Sequence, residues 1–101
     1  MPRATIIVEG TFCDGYADYF AEYSRTVRAY LEKHGGAVLR RQRVTKLLYG
    51  ERKPDLVMLI DFPDAQTAEG IFFAPDYLAI IPLRDKVFAD FRMYLAAFGE
   101  T

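Results

Sequence analysis

The sequence predicts one α+β domain over residues 1–101, a ferredoxin-like β-α-β-β-α-β unit. Such a unit makes a four-stranded antiparallel sheet with both helices on one face. Three observations carry this. Apolar, β-rich runs occur near residues 4–12, 56–60 and 91–98. A long amphipathic helical stripe ends at Gly35-Gly36 and is followed by an extended segment. A second helical stretch, interrupted by prolines, precedes the last strand.

The elements follow in order. Ala4 to Phe12 is the first strand, and Cys13-Asp14-Gly15 is a turn in which Asp14 is placed to cap a helix. Tyr16, Tyr19, Phe20, Tyr23, Val27, Tyr30 and Leu31 then recur at helical spacing, one apolar stripe of about five turns. Gly35 suits the left-handed position that ends a helix. Ala37 to Leu48 reads as one long extended segment, and Tyr49 to Pro54, with Gly50, as a hairpin loop. Leu56-Val57-Met58-Leu59-Ile60 is apolar throughout, as a strand covered on both faces would be. Pro63-Asp64 opens a helical stretch through Phe73, and Pro75 interrupts it. Asp76 is placed to cap a further helix carrying Tyr77, Ile80, Ile81, Arg84, Val87 and Phe88, with a kink or two short helices expected at Pro82. Phe91 to Phe98 closes the sheet.

Strands one, three and four are apolar on both faces, although the helices can cover only one. The simplest cover for the second face is another copy of the same sheet. The expected assembly is a homodimer whose sheets pack face to face as a barrel with helices outside.

Thirteen basic and fourteen acidic side chains nearly cancel, so no global field attracts nucleic acid or an anionic membrane. Strand three, Asp55 to Asp61, has no aromatic platform and is flanked by acids, which argues against RNA recognition by a sheet of this order. The first apolar run is too short for a secretory core or a membrane span, and a cytoplasmic setting is expected. Cys13 is the only cysteine and His34 the only histidine, so neither an intrachain disulfide nor a metal site is expected, and no cofactor. Nothing basic adjoins Cys13 to activate it, and the Gly35-Gly36 pair lacks the lysine and spacing of a phosphate-binding loop.

Three segments carry a family resemblance: His34 to Arg41 (HGGAVLRR), Leu59 to Asp64 (LIDFPD) and Ala74 to Arg84 (APDYLAIIPLR). Together they resemble the DUF1330 family of the dimeric α+β barrel superfamily. Its members show a Gly-Gly pair with an arginine five residues after the second glycine, an acidic-Phe-Pro strand end, and a Pro-acidic-Tyr…Pro-Leu-Arg helix. Tyr49-Gly50 stands where many members have an acidic residue before the glycine, and Ile71-Phe72-Phe73-Ala74 is greasier than the usual junction. The resemblance implies the fold and a dimer, not a reaction. The wider superfamily includes cofactor-free monooxygenases, lactone isomerases and haem-degrading enzymes, which is analogy alone.

Three residues are catalytic candidates. Alternation puts Arg41 on one face with Arg43, and Arg40 with Gln42 on the other. Arg41 either grips a ligand carboxylate or enolate in a cleft, or pairs with Asp61 or Glu9. Asp61, at the end of a buried strand, is a general base if kept dry, and otherwise a helix cap or the partner of an arginine. His34 is an acid or base at the cleft mouth, or simply a residue favoured at a helix C-terminus. Tyr23, Phe72, Phe73, Tyr77 and Arg84 are the candidate ligand-binding residues, with Arg84 bridging helix to strand, toward Asp61, as its structural alternative.

Two functional readings follow. One is a dimer that binds or transforms a small, partly apolar organic acid or carbonyl compound by metal-free acid–base chemistry, in a pocket between sheet and helices. The other is a non-catalytic dimeric binding or scaffold domain in which the polar residues are structural. The residues by themselves do not choose between enzyme and binding module. They do supply a geometric discriminator: whether Arg41 and Asp61 reach a common enclosed void.

Overall fold

A computed structural model describes residues 3–97. Its elements are β1 (Ala4–Phe12), α1 (Ala17–Lys33), β2 (Ala37–Arg43), β3 (Leu56–Phe62), α2 (Ala65–Ile71), α3 (Pro75–Leu78), α4 (Ile81–Arg84) and β4 (Phe88–Ala97). The strands lie in the order β2-β3-β1-β4, every pair antiparallel. The helices cover one face only.

On β1, residues Ala4, Ile6, Val8 and Gly10 are buried under the helices, while Thr5, Ile7, Glu9 and Thr11 between them are half-buried on the open face. β3 places Leu56, Ile60 and Phe62 on the helix side, where all three are buried. From α1 the buried residues are Tyr23, Val27, Tyr30 and Leu31, four members of the predicted stripe. Each fully covered aliphatic or aromatic side chain contributes about 1.5–3 kcal/mol, so this stripe is what fastens α1 to the sheet.

The end of α1 is a Schellman motif. Gly36 N donates to Leu31 O (2.8 Å) and Gly35 N to Glu32 O (3.2 Å), with Gly35 at φ 86°. A side chain on Gly36 would meet the Phe62 ring at 2.9 Å, so the second glycine is there for close approach to β3.

Several local expectations need correction. The N-cap of α1 is Tyr16, with no side-chain cap bond, rather than Asp14. The second strand stops at Arg43 instead of Leu48, and a register irregularity falls between Val38 and Arg40. The cap of α3 is Ala74, with Pro75 in the first turn and Asp76 one residue inside. β4 begins at Phe88, three residues early, because Phe88 pairs with Phe12 beyond a bulge. Phe98 lies outside the described residues. Asp64, by contrast, caps α2 through Thr67 N at 2.7 Å, and Pro82 divides the last helical stretch into two short pieces.

The open face carries Ile7, Val57, Leu59, Tyr94 and Ala96 on the three inner and outer strands β1, β3 and β4, all half-buried or exposed in the single chain. Charge gathers at one end, where Arg52 from the β2–β3 loop meets Glu9 (2.9 Å) and Arg92 meets Asp90 (2.9 Å).

Candidate functional site

The helix side brings three of the candidate ligand-binding residues together. α1 directs Tyr23 inward, α3 contributes Tyr77 and α4 contributes Arg84, and both tyrosines are buried. Arg84 Nη1 donates to the Tyr77 hydroxyl at 3.3 Å, and its guanidinium lies 4.7 Å from the centroid of Phe91 on β4. Arg84 Nε is 3.5 Å from the exposed Asp85 carboxylate, an ion pair without a hydrogen bond, so that buried N–H is left unpartnered. Burial pushes the Tyr23 phenol far above its usual range, and the neighbouring Tyr77 adds to this. Burial raises Tyr77 as well, against the pull of Arg84. At neutral pH the cluster is therefore two neutral phenols around one cation. It could stabilise an oxyanion, but neither Tyr77 nor Arg84 lines any of the four hollows described below. Its evident effect is to tie α3 and α4 to β4.

Phe72 and His34 extend this cluster through aromatic contacts. Phe72 packs edge-on to Tyr77, with centroids 5.1 Å apart. Tyr30 is 5.9 Å from Tyr77 and 4.7 Å from the His34 ring, and it donates its hydroxyl to the Ile71 carbonyl. His34 is the C-cap of α1, and its Nε2 is buried without a hydrogen-bond partner.

Arg41 lies elsewhere. Its register partner is Met58, it shares the helix-side face with Arg43 as alternation predicts, and it donates to Ser24 Oγ at 3.1 Å while covering Phe20 at 5.4 Å. The void it helps to line, with Tyr23, Val8 and Met58, is about 20 Å³, room for a single water.

Asp61 faces the other way. Its register partners are Thr5 and Ala37, which belong to the open face. It is buried beneath an ion pair with the exposed Arg3, and its Oδ1 has no partner. The expected pairs between Asp61 and Arg41 or Arg84 are therefore replaced: Arg3 takes Asp61, Arg52 takes Glu9, Ser24 takes Arg41 and Tyr77 takes Arg84.

The larger hollows are open grooves. One of about 220 Å³ lies along the β4 edge between the sheet and α2, walled by Ile6, Phe72, Phe73, Met93 and Leu95, with Glu69 its one carboxylate. Of these, the sequence singled out only Phe72 and Phe73. The alternation of β4 places Met93 and Leu95 on the same side, and that was the signal available for the rest. Phe73 is 75% exposed, unusual for phenylalanine in a single chain. A second groove, about 400 Å³, runs between α1 and α4 beside Tyr19 and Leu83, and a third, about 330 Å³, lies at the Cys13 turn. Among the described residues no cluster of metal-ligating side chains occurs, and no helix is long and apolar enough to cross a membrane.

A family described as a domain of unknown function, DUF1330, matches residues 4–97. No curated protein matches the chain. Among solved structures, a protein of unknown function from Rhodopseudomonas palustris superposes with TM-score 0.80 at 16% identity, covering 99% of this chain and 85% of its own. SnoaB, a cofactor-independent oxygenase from Streptomyces nogalater, gives TM-score 0.68 at 14% identity, covering 100% and 97%. A dimeric protein of unknown function with a ferredoxin-like fold, from Bacteroides fragilis, gives 0.59 at 9%, covering 95% and 96%. Identities this low establish the shared fold alone.

Proposed function

The chain belongs to the DUF1330 family, and we propose that it acts as a homodimer, sheet face against sheet face, that binds a small, partly apolar molecule in the groove at the β4 edge. The reading is of a binding domain, not an acid–base enzyme. One observation carries it: Arg41 and Asp61 lie on opposite faces of the sheet, and the void that Arg41 lines between sheet and helices holds one water. An acid and a base separated by a packed sheet cannot act on one substrate atom. The dimer is supported by the half-buried Ile7, Val57 and Leu59 and the exposed Tyr94, since an apolar sheet face in water is ordinarily shielded by a partner.

The groove favours particular chemistry. At about 220 Å³ it is smaller than a typical drug-sized pocket, and its walls are apolar. Glu69 at its side repels a second carboxylate, so a neutral carbonyl compound fits better than an organic acid. A thermal-shift series of small neutral carbonyl compounds, with matched acids, tests this. Neutral compounds should raise Tm in the native chain and lose the effect in Phe73→Ala. A ligand at 100 times its Kd adds about 2.7 kcal/mol, which is readily measured. Shifts that favour acids and vanish in Arg41→Ala instead would return the catalytic reading, toward which the likeness to a cofactor-independent oxygenase points only by fold.

A further inference from the structure

We infer that the tip of the β2–β3 loop, Leu47-Leu48-Tyr49, roofs the β4-edge groove of the other protomer, so that each binding groove is completed by the partner chain. The inference rests on the homodimer reading above. The loop runs from Val44 to Asp55, and its tip is apolar but hardly covered: Leu47 is 41% exposed, Leu48 88% and Tyr49 97%. Three consecutive uncovered side chains of this kind mark a contact surface. The tip therefore does not reach its own groove, whose rim residues Phe73 and Leu95 are themselves 75% and 46% exposed.

The direction of the loop supplies the occupant. Arg52 on its returning limb crosses the open face to Glu9 on β1 (2.9 Å) and to the Tyr94 hydroxyl on β4 (3.4 Å), so the loop leans over the face assigned to the dimer. Tyr94 also lines the groove mouth, which makes groove and open face one continuous surface around the β4 edge. A twofold axis through that face pairs each tip with the other chain's groove, uses both tips, and stops assembly at two.

Area bears on the same point. A stable interface buries roughly 800 Å² from each partner, and the three tip side chains, each more than two-fifths exposed in the single chain, add apolar surface to what the open sheet face offers.

Disulfide trapping between two single-cysteine chains tests this. Both carry Cys13→Ser, which keeps a hydroxyl where the thiol donates to Lys86 O. One adds Leu48→Cys and the other Phe73→Cys, at positions exposed enough to leave folding intact. The mixed proteins, oxidised mildly, should form a covalent heterodimer in high yield, and a Ser24→Cys partner on α1 should not. A non-covalent dimer that gives no Leu48–Phe73 product overturns the roofing while leaving the dimer intact. A monomer by light scattering before oxidation overturns both.

Discussion

Arg52 reaches from the β2–β3 loop to Glu9 on β1, Nη2 to Oε1 at 2.9 Å, and so holds the loop over the uncovered face of the sheet. The pair is partly open to solvent, with side-chain exposures of 47% and 26%. Exposed ion pairs are worth only about 0.2–1 kcal/mol. Its importance lies in where it points the loop.

Arg52→Ala should therefore lower unfolding stability by less than about 1 kcal/mol yet weaken self-association several-fold. Urea denaturation gives the first quantity and sedimentation equilibrium the second. Equal association by the variant and the native chain would show that the loop takes no part in the interface.

Gly36→Ala should destabilise the fold by about 1–3 kcal/mol, the usual cost of overpacking. The new methyl would sit 2.9 Å from the Phe62 ring and 3.1 Å from Leu31 O. Gly35→Ala is strained for a different reason, its φ of 86°, and has no close neighbour except the Pro63 ring at 3.6 Å. Chemical denaturation of the two variants separates steric from backbone cost. Trimming Phe62 to leucine should recover stability in the Gly36→Ala background and not in the Gly35→Ala one.

Arg84→Ala should cost roughly 2–4 kcal/mol, combining a charge-assisted bond to Tyr77 with a cation–π contact to Phe91. Tyr77→Phe should cost less, because Arg84 keeps its stack on Phe91. A double-mutant cycle measures the coupling between them. A coupling near zero would mean that the 3.3 Å bond contributes nothing.

The cap at Asp64 predicts a pH dependence. The Thr67 backbone N–H, helped by the Thr67 hydroxyl, holds this carboxyl below its ordinary value. A depressed folded pKa stabilises the fold above the unfolded value, near 3.9, and that stabilisation disappears as pH falls through the folded one. The stability advantage of the native chain over Asp64→Ala should thus be full at pH 6 and shrink below about pH 4. Denaturation midpoints across that range read it directly. A gap that stays constant to pH 2 would contradict the assignment.

The fold was legible because its signals are local. The helical stripe from Tyr16 to Leu31, the Gly35-Gly36 stop and the apolar run at Leu56 each act within a single helix, turn or strand. The alternation of Arg41 and Arg43 was equally readable. The candidate site was harder, since it depends on which face each strand turns to the helices. Asp61 and Arg41 fall on different strands, and a one-residue difference in register decides whether they share a face or lie on opposite ones. Sequence spacing gave Tyr77 and Arg84 a common helical face, and they do meet, but through two short helices. Glu69, Met93 and Leu95 became groove residues only once the β4 edge and α2 were side by side.

The most direct test of the account is the mass of the native chain in solution at micromolar concentration, beside Leu59→Arg, which places a charge at the middle of the open face. Light scattering should give twice the 11.6 kDa chain mass for the native protein and a folded single-chain species for the variant. A native protein that elutes as a clean 11.6 kDa monomer, or a Leu59→Arg variant that dimerises as tightly as the native chain, would contradict the shared sheet face on which the rest depends.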